Sequence, residues 1–388
     1  MNLSPWPHYD SDQIAAATRV LSSGKVNTWT GLETTNFEND FSSFCGTNYS
    51  IALSNGTLAL SAAYQSVGLG VGDELITSPR TFIATASSAV LLGATPVFAD
   101  VDSQSGCITT STIEPLITPR TKAISVVHLG GWPADMPDIC NLAHSYNIAI
   151  VEDCAQAHGA RIGDQSVGSF ADVSAWSFCQ DKIITTSGEG GMITTNNPEL
   201  FEFIWSLKDH GKSYKASLNP NHPAGFRWLH DSFGSNFRLT ELQSSIGIIQ
   251  LKRLTAWNAI RSRNALLLTE SLRELSVLRI PLPPDGITHA WYKYYVYLKP
   301  AVLASGWTRN RIMHEINILG YPCLSGGCSE IYLEKCFVDA GLTPTSPLPI
   351  ARELGETSLM FLVHPTITTE QMVSYAHAIK SVLMRASR

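Results

Sequence analysis

Residues 148–158 read Ile148-Ala149-Ile150-Val151-Glu152-Asp153-Cys154-Ala155-Gln156-Ala157-His158. An apolar run of strand length ends on a carboxylate, and an amide and an imidazole follow at once. The same layout recurs on both sides. Tyr49–Leu53 reads as a strand followed by Ser54-Asn55-Gly56-Thr57, and Glu74–Thr77 as one followed by Ser78-Pro79-Arg80-Thr81-Phe82. Ala123–Val127 leads to His128, and Ser174–Ser177 to Phe178-Cys179-Gln180-Asp181-Lys182. Val97–Ala99 and Met192–Thr195 look like further strands. Helical stretches lie between them at Thr57–Val67, Phe82–Leu92 and Met136–Tyr146. Short apolar strands without alternation, separated by helices, predict an α/β fold with a mostly parallel sheet flanked by helices on both faces.

Before this core, Asp10-Ser11-Asp12-Gln13 resembles a capping box opening a helix to Leu21, with Gly24 beyond its end. After it, Leu242, Ile246, Ile249 and Leu254 have helical spacing within Leu239–Leu275, which predicts one long helix or two in tandem. Pro281–Gly286 is a loop. Tyr292–Leu298 reads as a strand, and Thr308–Leu319 and Thr369–Met384 as helices. The expected division is a large domain with an N-terminal helical segment, residues 1–256, and a smaller α+β domain, residues 257–388.

The chain has 388 residues, 44% of them hydrophobic and 15% charged, which suits a globular protein with a sizeable core. Its net charge of -6 comes without a Lys/Arg block, so nucleic acid is not an expected partner. Met1–Pro7 does not read as a signal peptide, and no stretch approaches the roughly 18 apolar residues of a membrane span. A cytoplasmic enzyme is expected. The eight cysteines include no CxxC pair, so free thiols are expected rather than a zinc site, and no metal is predicted.

In an open parallel sheet, ligands sit beyond the carboxyl ends of the strands. The residues found there match what pyridoxal 5'-phosphate (PLP) requires: an amine, an acid for the pyridine nitrogen, a phosphate cradle and a flat apolar lid. Lys182 offers the amine. Asp153 offers the acid, since a carboxylate beside the ring nitrogen favours its protonated form. Gly56 and Thr57 open a helix whose N–H groups suit a phosphate, with Ser177 as a second donor and Phe82 as the lid. Each residue alone has a duller reading. A lone lysine is ordinarily a solvated charge, Asp153 a helix N-cap, Asn55-Gly56 a turn, and Phe82 core. His128 and His158 are ordinarily satisfied polar residues at a core edge. The five PLP features on one side of one sheet shift the reading.

The chain resembles the PLP-dependent nucleotide-sugar aminotransferases of the DegT type, within the broad aspartate-aminotransferase fold. The likeness runs over nearly the whole length. It is carried by Ser23–Asn27, Ser54–Thr57, Gly93–Phe98, Val151–Ala160, Ser177–Lys182 through Gly188-Glu189-Gly190-Gly191, and Gly234–Arg238 with Thr240–Gln243. The resemblance implies Lys182 as the Schiff-base lysine and Asp153 as the partner of the pyridinium nitrogen. Gln156 falls at the cofactor's phenolic oxygen, Gly56, Thr57 and Ser177 at its phosphate, and Phe82 on its ring. Asn236 falls where the family reaches across a homodimer to the neighbouring subunit's phosphate. The family's aromatic-histidine-proline stretch is replaced by Tyr321–Glu330. Sugar and nucleotide contacts are expected there, at Ser325 among them, and at Trp29, Thr30, Tyr292 and Lys293.

The implied reaction is transamination, with pyridoxamine phosphate as the intermediate form of the cofactor and L-glutamate as amino donor. The acceptor would be a nucleotide-linked keto sugar, 4-keto-6-deoxy by family frequency, and the product an amino sugar for lipopolysaccharide, another polysaccharide or a natural product. A deoxysugar dehydratase on the same fold carries histidine in place of the lysine, so Lys182 counts against it. A non-catalytic PLP-binding regulator would be expected to carry a DNA-binding module or basic face. A nicotinamide enzyme lacks its GxGxxG after a strand here.

Overall fold

The structure is a computed structural model, and it describes residues 2–219, 221 and 225–388. Seven strands form the large sheet: β1 Tyr49–Leu53, β2 Glu74–Thr77, β3 Thr95–Phe98, β4 Thr121–Val127, β5 Ala149–Asp153, β6 Val173–Ser177 and β7 Gly191–Thr195. Their order is β1-β7-β6-β5-β4-β2-β3. Every pairing is parallel except the two made by β7. Consequently the amino end of β7 lies beside the carboxyl ends of the others, with Gly191 opposite both Leu53 and Ser177.

The lack of alternation in these strands follows from burial of both faces. Ile51, Leu53, Val151, Val173 and Ile193 join one core, while Ala52, Trp176 and Met192 join another on the opposite face. Ile76, Ile124, Val126 and Ile150 fill a third. Water touches neither side, so no polar period appears in the sequence.

A single helix of 32 residues, Glu241–Leu272, leaves this unit. Thr240 caps it in a box with Gln243, each satisfying the other's backbone N–H. Leu254 packs into the large unit's core, whereas Ala265, Leu268 and Leu272 pack into the smaller one. Residue 256 therefore falls inside one continuous helix. The smaller unit has an antiparallel sheet of Leu278–Arg279, Tyr294–Leu298 and Ser358–Phe361, against which Arg309–Ile318 and Thr369–Ala386 pack.

Several local expectations are corrected. The helix after β2 runs Ala84–Val90, so Phe82 lies in the loop before it. The strand expected from Tyr292 begins at Tyr294, which leaves Tyr292 and Lys293 in the preceding turn. Asp10 makes no side-chain cap to its helix, Ser11–Ser23; its carboxylate accepts instead from Arg253 Nη1 and Gln13 Nε2. A guanidinium on the long helix outcompetes a backbone N–H for that carboxylate. Gly24 does close the helix in the left-handed region, φ 68°. A ribbon of Arg161–Ile162, Gln165–Ser166 and Ile287–Thr288, and the strand Ser358–Phe361, are too short or too continuous to be read as strands from pattern.

The turn before Tyr294 is pinned to the large unit. Ala290 N–H donates to Gly131 O at 2.9 Å and Lys293 N–H to Gly130 O at 3.2 Å. Trp291 takes φ 47°, a left-handed conformation that costs a bulky residue roughly 1–2 kcal/mol. Its ring stacks on His289 at 4.0 Å, and its N–H donates to His289 Nδ1 at 2.8 Å, which holds the strained turn. That turn aims Tyr292 at the loop after β6.

Candidate functional site

The carboxyl ends of β1, β5 and β6 bring Lys182, Asp153, Ser177 and Gly56 to one edge of the sheet. The loop from Phe178 to Gly190 closes on itself, with Phe178 N–H donating to Gly190 O at 2.8 Å and Lys182 N–H to Cys179 O at 3.0 Å. Lys182 O accepts from Trp6 Nε1 at 2.9 Å, so the N-terminal segment holds the lysine backbone from outside. Lys182 is half-buried. Its Nζ lies 3.4 Å from Tyr292 Oη and 5.0 Å from the centre of that ring. Tyr292 donates in turn to Asp181 Oδ2, and Lys293 Nζ lies 3.9 Å from the same oxygen.

Asp153 ends β5 and is 5% exposed. No helix follows it, so the N-cap reading does not hold. Its Oδ2 accepts from Thr85 Oγ1 at 2.7 Å and its Oδ1 from Ala155 N–H at 3.1 Å. Burial pushes its carboxyl above the ordinary range; Thr85, Ala155 and the charge of Lys182 pull the other way. A cation placed beside it would restore the ionised form.

Neighbouring Glu152 points into the opposite core and is structural. It accepts from Gly168, Phe170 and Ala171 N–H at 2.7–3.0 Å, from Ser174 Oγ at 3.2 Å and from His128 Nε2 at 3.0 Å. Burial raises its carboxyl, but these donors outweigh that and leave it below the ordinary range. His128 Nδ1 accepts from Ala134 N–H at 3.0 Å, which assigns the ring proton to Nε2. His158, by contrast, is buried between Trp176 and Phe178 with neither ring nitrogen bonded among the described residues, and burial pushes it down to about 3.

Gly56 begins the helix Gly56–Ser66, which Asn55 caps by accepting from Leu58 N–H at 2.9 Å. The first N–H groups of such a turn have no carbonyl of their own helix to bond. A Cβ on Gly56 would lie 2.6 Å from Ser177 Cβ, and one on Gly191 would lie 2.4 Å from Asn55 O. Only glycine permits this approach, which brings the Ser177 hydroxyl to the helix N-terminus. Free N–H groups, a hydroxyl and the end of a helix dipole fit a phosphate dianion. With the Lys182 amine and the buried Asp153 carboxylate on the same edge, the residues present fit PLP.

The remaining sequence candidates fall in different places. Thr57 is exposed at the same helix start. Gln156 Oε1 accepts from Gly130 N–H at 2.9 Å, beside the end of β4. Phe82 is 67% exposed, an apolar ring left uncovered. Asn236 is exposed, paired in an isolated bridge with Asp209. Trp29 sits over Lys212 Nζ at 4.2 Å and edge-on to Trp205, and Thr30 Oγ1 donates to Asn27 O. The Trp29 contacts run to the β1 flank, and the Thr30 bond stays within its own turn. Ser325 O accepts from Ser358 Oγ at 2.7 Å. Its loop reaches the Lys182 side through Gly327 N–H, which donates to Tyr295 Oη at 3.0 Å. Thr85 and Trp6 escaped sequence reading. Thr81 and Thr85 at i,i+4 are a faint signal, and Trp6 gives none.

The chain matches the model of the DegT/DnrJ/EryC1/StrS aminotransferase family over residues 7–380. It is 37% identical to GDP-perosamine synthase of Caulobacter vibrioides, covering 90% of this chain and 89% of that protein. It is 36% identical to a UDP-N-acetyl-3-dehydro-alpha-D-glucosamine 3-aminotransferase of Acidithiobacillus ferrooxidans, covering 89% and 87%. The X-ray structure of an aminotransferase from Psychrobacter cryohalolentis superposes with a TM-score of 0.98 at 49% identity, covering 99% of each chain. The chain belongs to the DegT/DnrJ/EryC1/StrS aminotransferase family and is a PLP-dependent aminotransferase.

Proposed function

We propose that the chain moves an amino group from an amino acid, L-glutamate first, to the ketone of a nucleotide-linked sugar. A 4-keto-6-deoxy sugar leads the candidates, and the product is an amino sugar for a polysaccharide or natural product. The observation that carries this reading is one sheet edge holding the Lys182 amine, the buried Asp153 carboxylate and the Gly56–Ser177 approach. Two relatives, one named for a UDP-linked 3-dehydro sugar and one for GDP-perosamine, support a nucleotide sugar as acceptor.

Bound PLP supplies a carbonyl carbon that bonds an amine and a ring that accepts electrons. Lys182 would hold the cofactor, and its Nζ, when free, is the base that would carry a proton from one side of the reacting nitrogen to the other. Asp153, oriented by Thr85, would be ionised by a positive ring nitrogen and would keep that nitrogen protonated. Gly56, Thr57 and Ser177 would hold the phosphate, Gln156 would meet the phenolic oxygen, and Phe82 would cover the ring. Trp29, Thr30, Tyr292, Lys293 and Ser325 are the proposed substrate contacts.

A homodimer with shared sites fits the surface around Asn236. Phe226, Trp228 and Phe233 are exposed on the segment leading to it, an apolar surface of the kind a partner chain covers. Among the described residues no helix is long and apolar enough to cross a membrane, and a cytoplasmic location is proposed.

The test loads the enzyme with PLP, adds L-glutamate until the visible absorbance band is lost, removes the excess, and then offers nucleotide-linked 4-keto and 3-keto sugars. Return of the band with one of them identifies the acceptor. No return with any nucleotide keto sugar, while a keto acid other than 2-oxoglutarate restores it, would move the function to amino-acid metabolism.

A further inference from the structure

We propose that Tyr292 and Asp181 form a proton wire joining the Lys182 amine to bulk water. The inference rests on Lys182 being the reacting amine. Three observations carry it. Tyr292 Oη lies 3.4 Å from Lys182 Nζ and at the same time donates to Asp181 Oδ2. Tyr292 is buried, at 7% exposure, so it is an inner link. The Asp181 side chain is 59% exposed, so it is an outer one. The amine, phenol and carboxylate thus run from the site to the surface in order.

The chemistry requires such an exit. An amino donor enters as an ammonium ion, and its nitrogen must lose a proton before it can bond to carbon. That proton passes to the Lys182 nitrogen as the neighbouring base, and from a half-buried site it then needs a path outward. As a proton leaves the Lys182 ammonium for the phenol oxygen, the phenol's own proton passes to the Asp181 carboxylate. One N–H and one O–H bond break, two O–H bonds form, and the phenol ends neutral. Asp181 then yields its proton to water. The reverse sequence returns one.

The surrounding charges set how each link works. Burial, with the Asp181 charge and the hydrogen bond to it, holds the Tyr292 phenol well above its ordinary value, so it conducts without ionising. Burial raises the Asp181 carboxyl, but the charge of Lys182, the Tyr292 hydroxyl and Lys293 outweigh it and leave it below the ordinary range. It therefore releases a proton readily. Burial pushes Lys293 down to about 8, against the pull of Asp181. Asp153, His158, Arg261, Tyr295 and His364 also face this cluster electrostatically. Among the described residues, none of those five hydrogen-bonds the Lys182 amine, the Tyr292 hydroxyl or the Asp181 carboxylate. Tyr292 was expected to touch sugar; the wire gives it a role in the proton chemistry common to both halves of the reaction.

The experiment uses the PLP-loaded full chain and its Tyr292→Phe, Asp181→Asn and doubly substituted forms. L-Glutamate drives the first half-reaction in stopped flow across pH. Separately, acetic anhydride labels Lys182 across pH in the pyridoxamine-phosphate-loaded proteins, read by mass spectrometry. We expect each single change to slow the half-reaction about 10²-fold with the half-saturating glutamate concentration unchanged. The double form should be no slower than the slower single one, because both changes cut one path. The pH midpoint of Lys182 labelling should move in both. Unchanged rates and labelling midpoints, with borohydride still fixing PLP to Lys182, overturn the wire. So does a loss confined to weaker glutamate binding with the midpoint unmoved. Failure of borohydride to fix PLP to Lys182 in the unaltered enzyme removes instead the reading beneath it.

Discussion

Thr85 donates its hydroxyl to Asp153 Oδ2 at 2.7 Å, from the first turn of the helix that follows β2. Thr81 Oγ1 lies 2.9 Å from Thr85 Oγ1, so the carboxylate is oriented by a hydroxyl that is itself held. Thr85→Val removes one of the two donors to Asp153. We expect turnover to fall about tenfold, the worth of one charge-assisted hydrogen bond. Steady-state kinetics on the PLP-loaded protein check this.

Asp153→Asn separates stability from activity. The Asp153 carboxyl is raised by burial in the cofactor-free protein, so the folded state favours its neutral form. For a raised carboxyl, the stabilising contribution is present below the unfolded value near 3.8 and is lost as pH rises through the folded value. The amide escapes that loss. We expect cofactor-free Asp153→Asn to melt higher than the parent at pH 7, with the difference narrowing sharply as the pH falls to 4. Turnover of the PLP-loaded variant should fall by about 10² or more, since the ring nitrogen loses its anion. Thermal melts at the two pH values and kinetics at pH 7 decide the matter together.

Gly56→Ala puts a methyl 2.6 Å from Ser177 Cβ. The clash should cost about 1–3 kcal/mol and weaken PLP binding, because the helix start must move away from Ser177. Adding Ser177→Gly removes the contacting Cβ and should restore much of the melting temperature. It should not restore PLP affinity, since the hydroxyl is gone. Calorimetry and PLP titration follow the two effects separately.

Acid stability should be set partly by three buried imidazoles. Burial drives His158, His289 and His364 down to about 3 from an ordinary 6.5. Their folded values are depressed, so the stability they allow is present above 6.5 and is lost as pH falls below it, while the unfolded chain takes up their protons. Each contributes up to about 1.4 kcal/mol per pH unit across that window. Urea unfolding at pH 7, 6 and 5 should show the decline. His158→Phe, whose ring has no nitrogen to protonate in its aromatic slot, should make it shallower.

Much of the site was legible because its pieces are local. Gly56, Asp153, Ser177 and Lys182 each stand just past an apolar run, and a strand buried on both faces announces its own end. A long helix announces itself in the same way, and its Thr240–Gln243 box is visible in four residues. Other readings failed where a distant partner intervened. Asp10 and Gln13 look like a capping box until Arg253, on the long helix, takes the carboxylate.

By itself, then, the sequence determined the sheet, its mostly parallel sense and the line of chemical groups along one edge. Periodicity and strand ends are properties of neighbours in the chain. Only the tertiary structure decided what those groups meet. It set Thr85 against Asp153, Trp6 on the Lys182 carbonyl, and Tyr292 between Lys182 and Asp181. It also carried Trp29 to the β1 flank, against Trp205 and Lys212. Such contacts depend on how the helices and the smaller unit dock, and docking sums many weak packing terms that no short stretch of sequence contains.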